Sequence, residues 1–400
     1  MLASVLIISA IVLSYTLIAR FSHFPYWPTY FLLWRYVLLN WSSQVTLTAK
    51  YKQAVFLLKC GLMNPIWTLF WYLDEWLFPE YRFTMIKPIF IVGQPRSGTT
   101  LLHRTLANDY QHFFAIRHSE WRYPFICVQQ LFALFGINRR LATKNYWPNT
   151  VAGRLAAKMH PDTLADWEED GIFFEECFLH HFFIFLRFPY PTLLHTVDQF
   201  QSLPAGVRQQ MLNTHHLVIK KIAYLRQQPT AYYLSKEVTS HTKIPALIAL
   251  YPEARFIIVT RPAAAFMSSL SGLMRTSTQA KNGIDPMSLP NWHDVFIQRM
   301  RDDSLYLTGL CQQQIPLERQ IPITWRHLVS QLFTTINAIY QQLELELPND
   351  FSIKLKQLDE YQQKRQRQYD YDMMELTGFE QFDQFVKTIE IRFNQLIIKQ

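Results

Sequence analysis

Residues 88–104 read Pro88-Ile89-Phe90-Ile91-Val92-Gly93-Gln94-Pro95-Arg96-Ser97-Gly98-Thr99-Thr100-Leu101-Leu102-His103-Arg104, and their order decides the fold class. The apolar, β-branched run that follows Lys87 and ends at Val92 has the pattern of a short buried strand. Gly93 to Gly98 is made of turn formers, and Thr99 to Asn108 has the apolar spacing of an amphipathic helix. A strand, a glycine turn and a helix in that order bring backbone N–H groups and the positive end of a helix dipole to one point. Such a point binds phosphate without needing side-chain charge. Gly93 and Gly98 allow the backbone its close approach. The spacing G-x-x-x-x-G is that of a nucleoside-triphosphate loop, yet Thr99 stands where such a loop carries its lysine. The cation is Arg96, inside the turn, where a guanidinium can fork onto two oxygens of a shorter anionic tail. The expected fold is α/β, with a P-loop-like central parallel sheet flanked by helices.

A second unit has the same grammar. Tyr251-Pro252-Glu253-Ala254-Arg255 leads into the apolar run Phe256-Ile257-Ile258-Val259-Thr260, then Arg261-Pro262 and a helical stretch to Arg275. Arg261 would then sit at the carboxyl end of a parallel strand, where open α/β sheets bind ligands.

Pro95 to Arg104 resembles the 5′-phosphosulfate loop of the PAPS-dependent sulfotransferase superfamily, in its bacterial-type P-R-S-G-T-T-L-L-H-R form. The resemblance implies 3′-phosphoadenosine 5′-phosphosulfate (PAPS) as co-substrate, with Gln94, Pro95, Arg96, Ser97, Gly98, Thr99 and Thr100 forming its cradle. It also places Arg261 and Ser269 at the two positions that contact the donor's 3′-phosphate, although the family usually has Asp between the Arg and the Pro. Arg319 to Arg326 resembles the family's late strand and Leu328 to Leu345 the helix after it, with Arg326 where an acidic residue is usual. Gln368 to Glu380, with Tyr369, Tyr371, Gly378 and Phe379, resembles its closing segment, and Lys364, Arg365 and Arg367 would close over the donor. The likeness spans roughly residues 88 to 385.

Sulfuryl transfer asks for positioned cations, as phosphoryl transfer does, and for a base that takes the acceptor's proton. Arg96 and the loop amides would stabilise the transferring group. Glu120 is the first candidate base, followed by His241 and His118, and Lys236 is the expected electrophilic helper. Glu120 precedes Trp121 where the family often carries a Trp-Glu pair or a lone Glu, and His241 lies one residue beyond the family's K-S-P-x-H spacing. The scheme needs no metal, and no H-E-x-x-H spacing occurs. His160, near Asp166, Glu168, Glu169 and Asp170, reads either as part of an acceptor site or as an acid-rich helix start, the second being preferred. His180-His181 and His215-His216 read as structural or surface pairs.

The formal charge of +8 suits an anionic ligand or an acidic membrane, and no long basic arm points to nucleic acid. Cys60, Cys127, Cys177 and Cys311 have no C-x-x-C pairing and read as free thiols. Leu2 to Ala19 is uncharged and long enough to cross a hydrocarbon core, and the later Arg20, Arg35, Lys50 and Lys52 favour a cytoplasmic carboxy-terminal side. The expected organisation is thus a single-pass anchor over 1–20, an aromatic-rich, membrane-proximal helical region over 21–86, and a sulfotransferase domain over 87–400. Within 21–86, interfacial helices and ordinary core helices are equally compatible with the pattern. The expected acceptor is a hydroxyl, or an amine, with a lipid or carbohydrate preferred and a peptide tyrosine or small alcohol left open. Trp121, Tyr123, Phe125, Trp147, Phe173, Phe174 and Phe178 would line its pocket or else form plain core. Two rival classes remain at this point: a P-loop kinase or NTPase, and a non-enzymatic membrane protein with a nucleotide fold.

Overall fold

The structure is a computed structural model that describes residues 5, 6, 9, 26–40, 45–178, 186–193, 200–228, 231–238, 241–365 and 374–398. Two helices come first, α1 (Trp27–Leu39) and α2 (Leu47–Leu77). The order then runs β1 (Pro88–Gly93), α3 (Thr99–Leu106), β2 (Phe113–Phe114), α4 (His118–Arg122), α5 (Ile126–Leu134), α6 (Ile137–Thr143), α7 (Val151–Met159), α8 (Gly171–Glu176) and α9 (Ala205–Arg226). The second half contains β3 (Tyr232–Glu237), α10 (Ile244–Leu250), β4 (Arg255–Thr260), α11 (Ala263–Asn282), α12 (Trp292–Gln313), β5 (Gln320–Thr324), α13 (Trp325–Ser330), α14 (Leu332–Gln342), α15 (Asn349–Lys364) and α16 (Glu380–Ile398).

The five strands form one sheet in the order β2-β3-β1-β4-β5, and every pairing is parallel. Strands buried on both faces need apolar residues at consecutive positions, which is why Ile89-Phe90-Ile91-Val92 and Phe256-Ile257-Ile258-Val259 are unbroken runs. Alternation then divides them between two cores. Phe90, Val92, Phe256 and Ile258 pack on one face, and Ile89, Ile91, Ile257 and Val259 on the other. Because β1 lies between β3 and β4, the ends of all three strands open onto one crevice at the centre of the sheet.

Helix α11 runs on to Asn282, well past Arg275, and the stretch from Leu328 to Leu345 divides into two helices at Gln331. At that break Asp359 accepts the N–H of Leu332 at 2.9 Å, so the second helix starts on a carboxylate cap.

Helices α1 and α2 join the same core as the sheet. Leu33, Val37, Leu57 and Trp71 pack with Phe90 and Phe256 in one continuous cluster. The inner face of α2 also carries Lys50, Gln53, Asn64, Thr68 and Asp74, all buried. Asp74 accepts the N–H groups of Ile126 and Cys127 at 2.8 and 2.9 Å, capping α5, and pairs with Lys221 at 3.0 Å. Among the described residues α2 is the one helix long and apolar enough to cross a membrane by length and composition. The expected span Leu2–Ala19 falls almost entirely outside the described residues. All four cysteines are free, and three of them are buried.

Candidate active site

The turn after β1 is shaped by two left-handed residues, Arg96 at φ 66° and Gly98 at φ 94°, the latter serving as N-cap of α3. A Cβ on Gly93 would stand 2.3 Å from the Val259 carbonyl oxygen, so only glycine lets β1 end there against β4. The Ser97 hydroxyl donates to the Gln94 carbonyl and closes the turn. The amide of Gln94 is 1 % exposed, and neither its nitrogen nor its oxygen has a partner, an orphaned polar group inside the cradle.

The second strand–turn–helix unit closes on the first. Arg261 donates to the Arg96 carbonyl at 2.8 Å, and Arg96 Nε donates to Ser269 Oγ at 3.0 Å. The Arg261 guanidinium lies 4.2 Å from the ring centre of Trp325, a cation–π contact whose aromatic partner sequence reasoning missed. No acid separates Arg261 from Pro262, yet a carboxylate still reaches this helix start, where Asp383 of α16 accepts the N–H of Ala263 at 2.8 Å.

Beside the loop is a cleft of about 130 Å³ whose wall includes Pro95, Arg96, Thr99, Thr100, His118 and Lys236. Lys236, from the end of β3, donates to Thr100 Oγ1 at 3.1 Å and to Glu168 Oε1 at 2.8 Å, with Glu169 at 3.6 Å. Burial opposes its charge, but these two carboxylates prevail and hold the ammonium above its ordinary range. Burial opposes ionisation of Glu168 as well, and Lys236, His160 and Arg104 together hold it well below the usual carboxylate range. Glu169, pushed up by burial and by repulsion from Glu168 against the pull of Lys236, reaches about 7. Two neighbouring carboxylates around one lysine are thus driven in opposite directions.

His118 also borders the cleft. Its Nδ1 contacts Asp162 at 2.8 Å, and its Nε2 accepts from Arg122 Nε at 2.9 Å. Burial, then Arg122, lowers the imidazole to about 3, so it is neutral, with its Nε2 lone pair engaged. Asp162 is raised to about 7, first by burial and then by Glu168. His160, Asp162 and Glu168 place one ligand atom each within 4.8 Å of one another, a spacing that would suit a cation. Arg104, 3.5 Å from Asp162 and 3.4 Å from Glu168, already supplies positive charge there.

Several expected site residues lie elsewhere. Glu120 does not border the cleft: its carboxylate is held by Arg226, with the closest contacts at 2.5 and 2.7 Å, and accepts the N–H of Arg117 at 2.7 Å. His241 is buried behind the loop, its Nε2 3.2 Å from the Gly93 carbonyl oxygen. Lys364 and Arg365 end α15 on the surface and do not line the cleft. Arg367, Tyr369 and Tyr371 lie outside the described residues, as do His180 and His181. Of the aromatic residues proposed for a pocket, Trp147 borders the cleft, whereas Trp121, Phe125, Phe173, Phe174 and Phe178 are packed in the core. His215 pairs with Asp170 at 2.9 Å and stacks on Trp121, a structural role. The group around His160 does more than start a helix, since His160, Asp162, Glu168 and Glu169 all face the cleft. The signal for it was the crowding of Asp166, Glu168, Glu169 and Asp170 immediately before an apolar stretch.

Fold and site together are those of an α/β protein whose glycine turn after the central strand carries arginine where an NTPase loop carries lysine. The profile of the sulfotransferase family matches residues 88–349, and the chain belongs to that family. Its fold is similar to the crystal structure of sulfotransferase STF9 from Mycobacterium avium, with a TM-score of 0.62 at 15% identity over 92% of this chain and 89% of that one. It is also similar to sulfotransferase STF1 from Mycobacterium tuberculosis H37Rv, with a TM-score of 0.60 at 16% identity over 92% of each. No curated protein matches the chain by sequence. Family membership supports sulfonate transfer as the general chemistry.

Proposed function

We propose that the chain transfers a sulfonate group from PAPS to a hydroxyl of an amphiphilic acceptor, a lipid or carbohydrate conjugate, at a membrane. The observation that carries this reading is the convergence of Arg96, Arg261 and Ser269 on one turn at the central strand. That arrangement suits a ligand with anionic groups at both ends of a nucleoside. The orphaned amide of Gln94 fits a polar ligand in the same cradle.

In the reaction, the acceptor hydroxyl gives its proton to a carboxylate of the cleft, its oxygen bonds to sulfur, and the bond from sulfur to the 5′-phosphate oxygen breaks. The electron pair of that bond leaves with 3′-phosphoadenosine 5′-phosphate. Arg96 and the loop N–H groups stabilise charge on the transferring and leaving oxygens. Lys236, fully charged and tied to the start of α3 through Thr100, serves the bridging oxygen. The base role passes from Glu120 to Glu169, because Glu169 borders the cleft and is poised near neutrality while Glu120 is locked by Arg226. His241 acts by holding the loop through the Gly93 carbonyl.

Ile172, Leu270, Leu273 and Met274 line the cleft together with its carboxylates, which suits an acceptor with an apolar body and a hydroxyl head. The apolar run Leu2–Ala19 would keep the chain at the bilayer, with the catalytic body on the cytoplasmic side. A reporter fused after Gln400 should then be active only in the cytoplasm. Transfer of labelled sulfonate from PAPS to extracted lipids and glycans tests the reaction. Glu169→Gln should lower the rate by about 10²–10⁴-fold, and full turnover by that variant would refute the assignment.

A further inference from the structure

Helix α2 buries Leu57 and Trp71 but also turns a second apolar stripe outward, which a surface helix in water does not do. Such a helix buries its apolar stripe and shows its polar residues to solvent. Here Lys50, Gln53, Asn64, Thr68 and Asp74 are turned inward, and each end of that face is tied into the body. Lys50 donates to the Tyr36 carbonyl at 2.6 Å, Gln53 donates to the Arg187 carbonyl at 3.0 Å, and Asp74 holds Lys221 and the start of α5. The outward residues recur every three or four positions from Leu47 to Trp76, and the second half of that stripe is Leu58, Leu62, Ile66, Leu69, Tyr72 and Trp76, all exposed. From Leu62 to Leu77 no exposed residue of α2 carries a charge.

We propose that α2 lies in the plane of a lipid bilayer, its outward stripe sunk to the hydrocarbon boundary, and does not cross the membrane. The proposal rests on the membrane association argued above and is independent of the donor chemistry. At 1.5 Å per residue the stripe is about 44 Å long, longer than the roughly 30 Å hydrocarbon core of a bilayer. Both ends are fixed to the same body that carries the charged cleft, so the helix cannot cross without drawing that body into lipid. A bilayer is the occupant because the outward stripe is a continuous run of apolar side chains that ends in the interfacial aromatics Tyr72 and Trp76. Exposed Lys52 and Lys59 on the helix complement anionic headgroups, and the apolar run Leu2–Ala19 precedes α1, which packs beside α2 and itself exposes Phe31, Leu38 and Leu39.

The test uses the full chain in native membranes, with single cysteines introduced as Lys52→Cys, Leu62→Cys, Leu69→Cys and Glu80→Cys, a membrane-impermeant maleimide as probe, and the unsubstituted chain as background. The expected result is labelling of Lys52→Cys and Glu80→Cys from the same side. Leu62→Cys and Leu69→Cys should show no labelling until detergent is added. Labelling of Lys52→Cys and Glu80→Cys from opposite sides overturns the in-plane placement and leaves membrane association standing. Labelling of Leu62→Cys in intact membranes as fast as Lys52→Cys puts the stripe in water and overturns it, and protection that survives detergent assigns the stripe to a protein partner instead. Recovery of the whole chain in the soluble fraction removes both this proposal and the membrane reading.

Discussion

Arg96 shows why single residues were the most legible part of the site. Its type, its place inside the turn and the missing lysine at Thr99 are local facts of sequence, and the structure brings the side chain to Ser269 and its carbonyl to Arg261. The carboxylates were harder to read, because a sequence gives the type of an acid and not its partner. Glu120 stands in a plausible place, yet Arg226, far along the chain on α9, consumes it. Glu169 differs from its neighbour Glu168 only through the side chains around it. As the proposed base, Glu169 must be ionised to accept a proton and is raised to about 7, so turnover should climb as pH rises through about 7. Glu169→Gln should abolish that limb, and a pH–rate profile decides it. Loss of the Lys236 ammonium in Lys236→Ala should lower kcat far more than it changes KM, because in the proposed reaction the charge acts on an oxygen whose negative charge develops in the transition state. A pure KM effect in steady-state kinetics would make Lys236 a binding residue only.

At the scale of elements, the two strand–turn–helix units were readable because their apolar runs and turn formers follow each other without interruption. The ends were not, since α11 continues to Asn282 on tertiary packing and the late helix breaks at Gln331, where Asp359 waits from α15. Loop shape depends on contacts no spacing reveals. A Cβ on Gly98 would meet Leu328 Cδ2 at 2.9 Å and also carry a left-handed φ of 94°. Gly98→Ala should therefore cost about 1–2 kcal/mol in backbone strain alone. Thermal unfolding should register that loss, and donor affinity should fall with it as the α3 amides shift.

Across the whole molecule, the sequence divides at residue 87 while the packing does not. Leu33, Leu57 and Trp71 share a core with β1 and β4, a union that could not be seen from an aromatic-rich composition. Among the described residues the Asp74–Lys221 pair, with both side chains 0% exposed, is the most deeply buried ion pair. Asp74→Ala leaves a buried ammonium without its carboxylate and strips the cap from α5, which should destabilise the fold by about 3–5 kcal/mol. Asp74→Ala combined with Lys221→Met should recover part of that loss in unfolding measurements, because the stranded charge is gone while the missing cap remains.

The central claim is that the turn from Gly93 to Thr100, with Arg261 and Ser269 behind it, holds a nucleotide bearing a 3′-phosphate. Calorimetric titration of the detergent-solubilised full chain with 3′-phosphoadenosine 5′-phosphate tests it most directly. Tight binding that does not depend on Mg²⁺, weakened strongly in Arg261→Ala and not matched by ATP, is the predicted result. Preference for ATP with Mg²⁺, or equal affinity in Arg261→Ala, would contradict it.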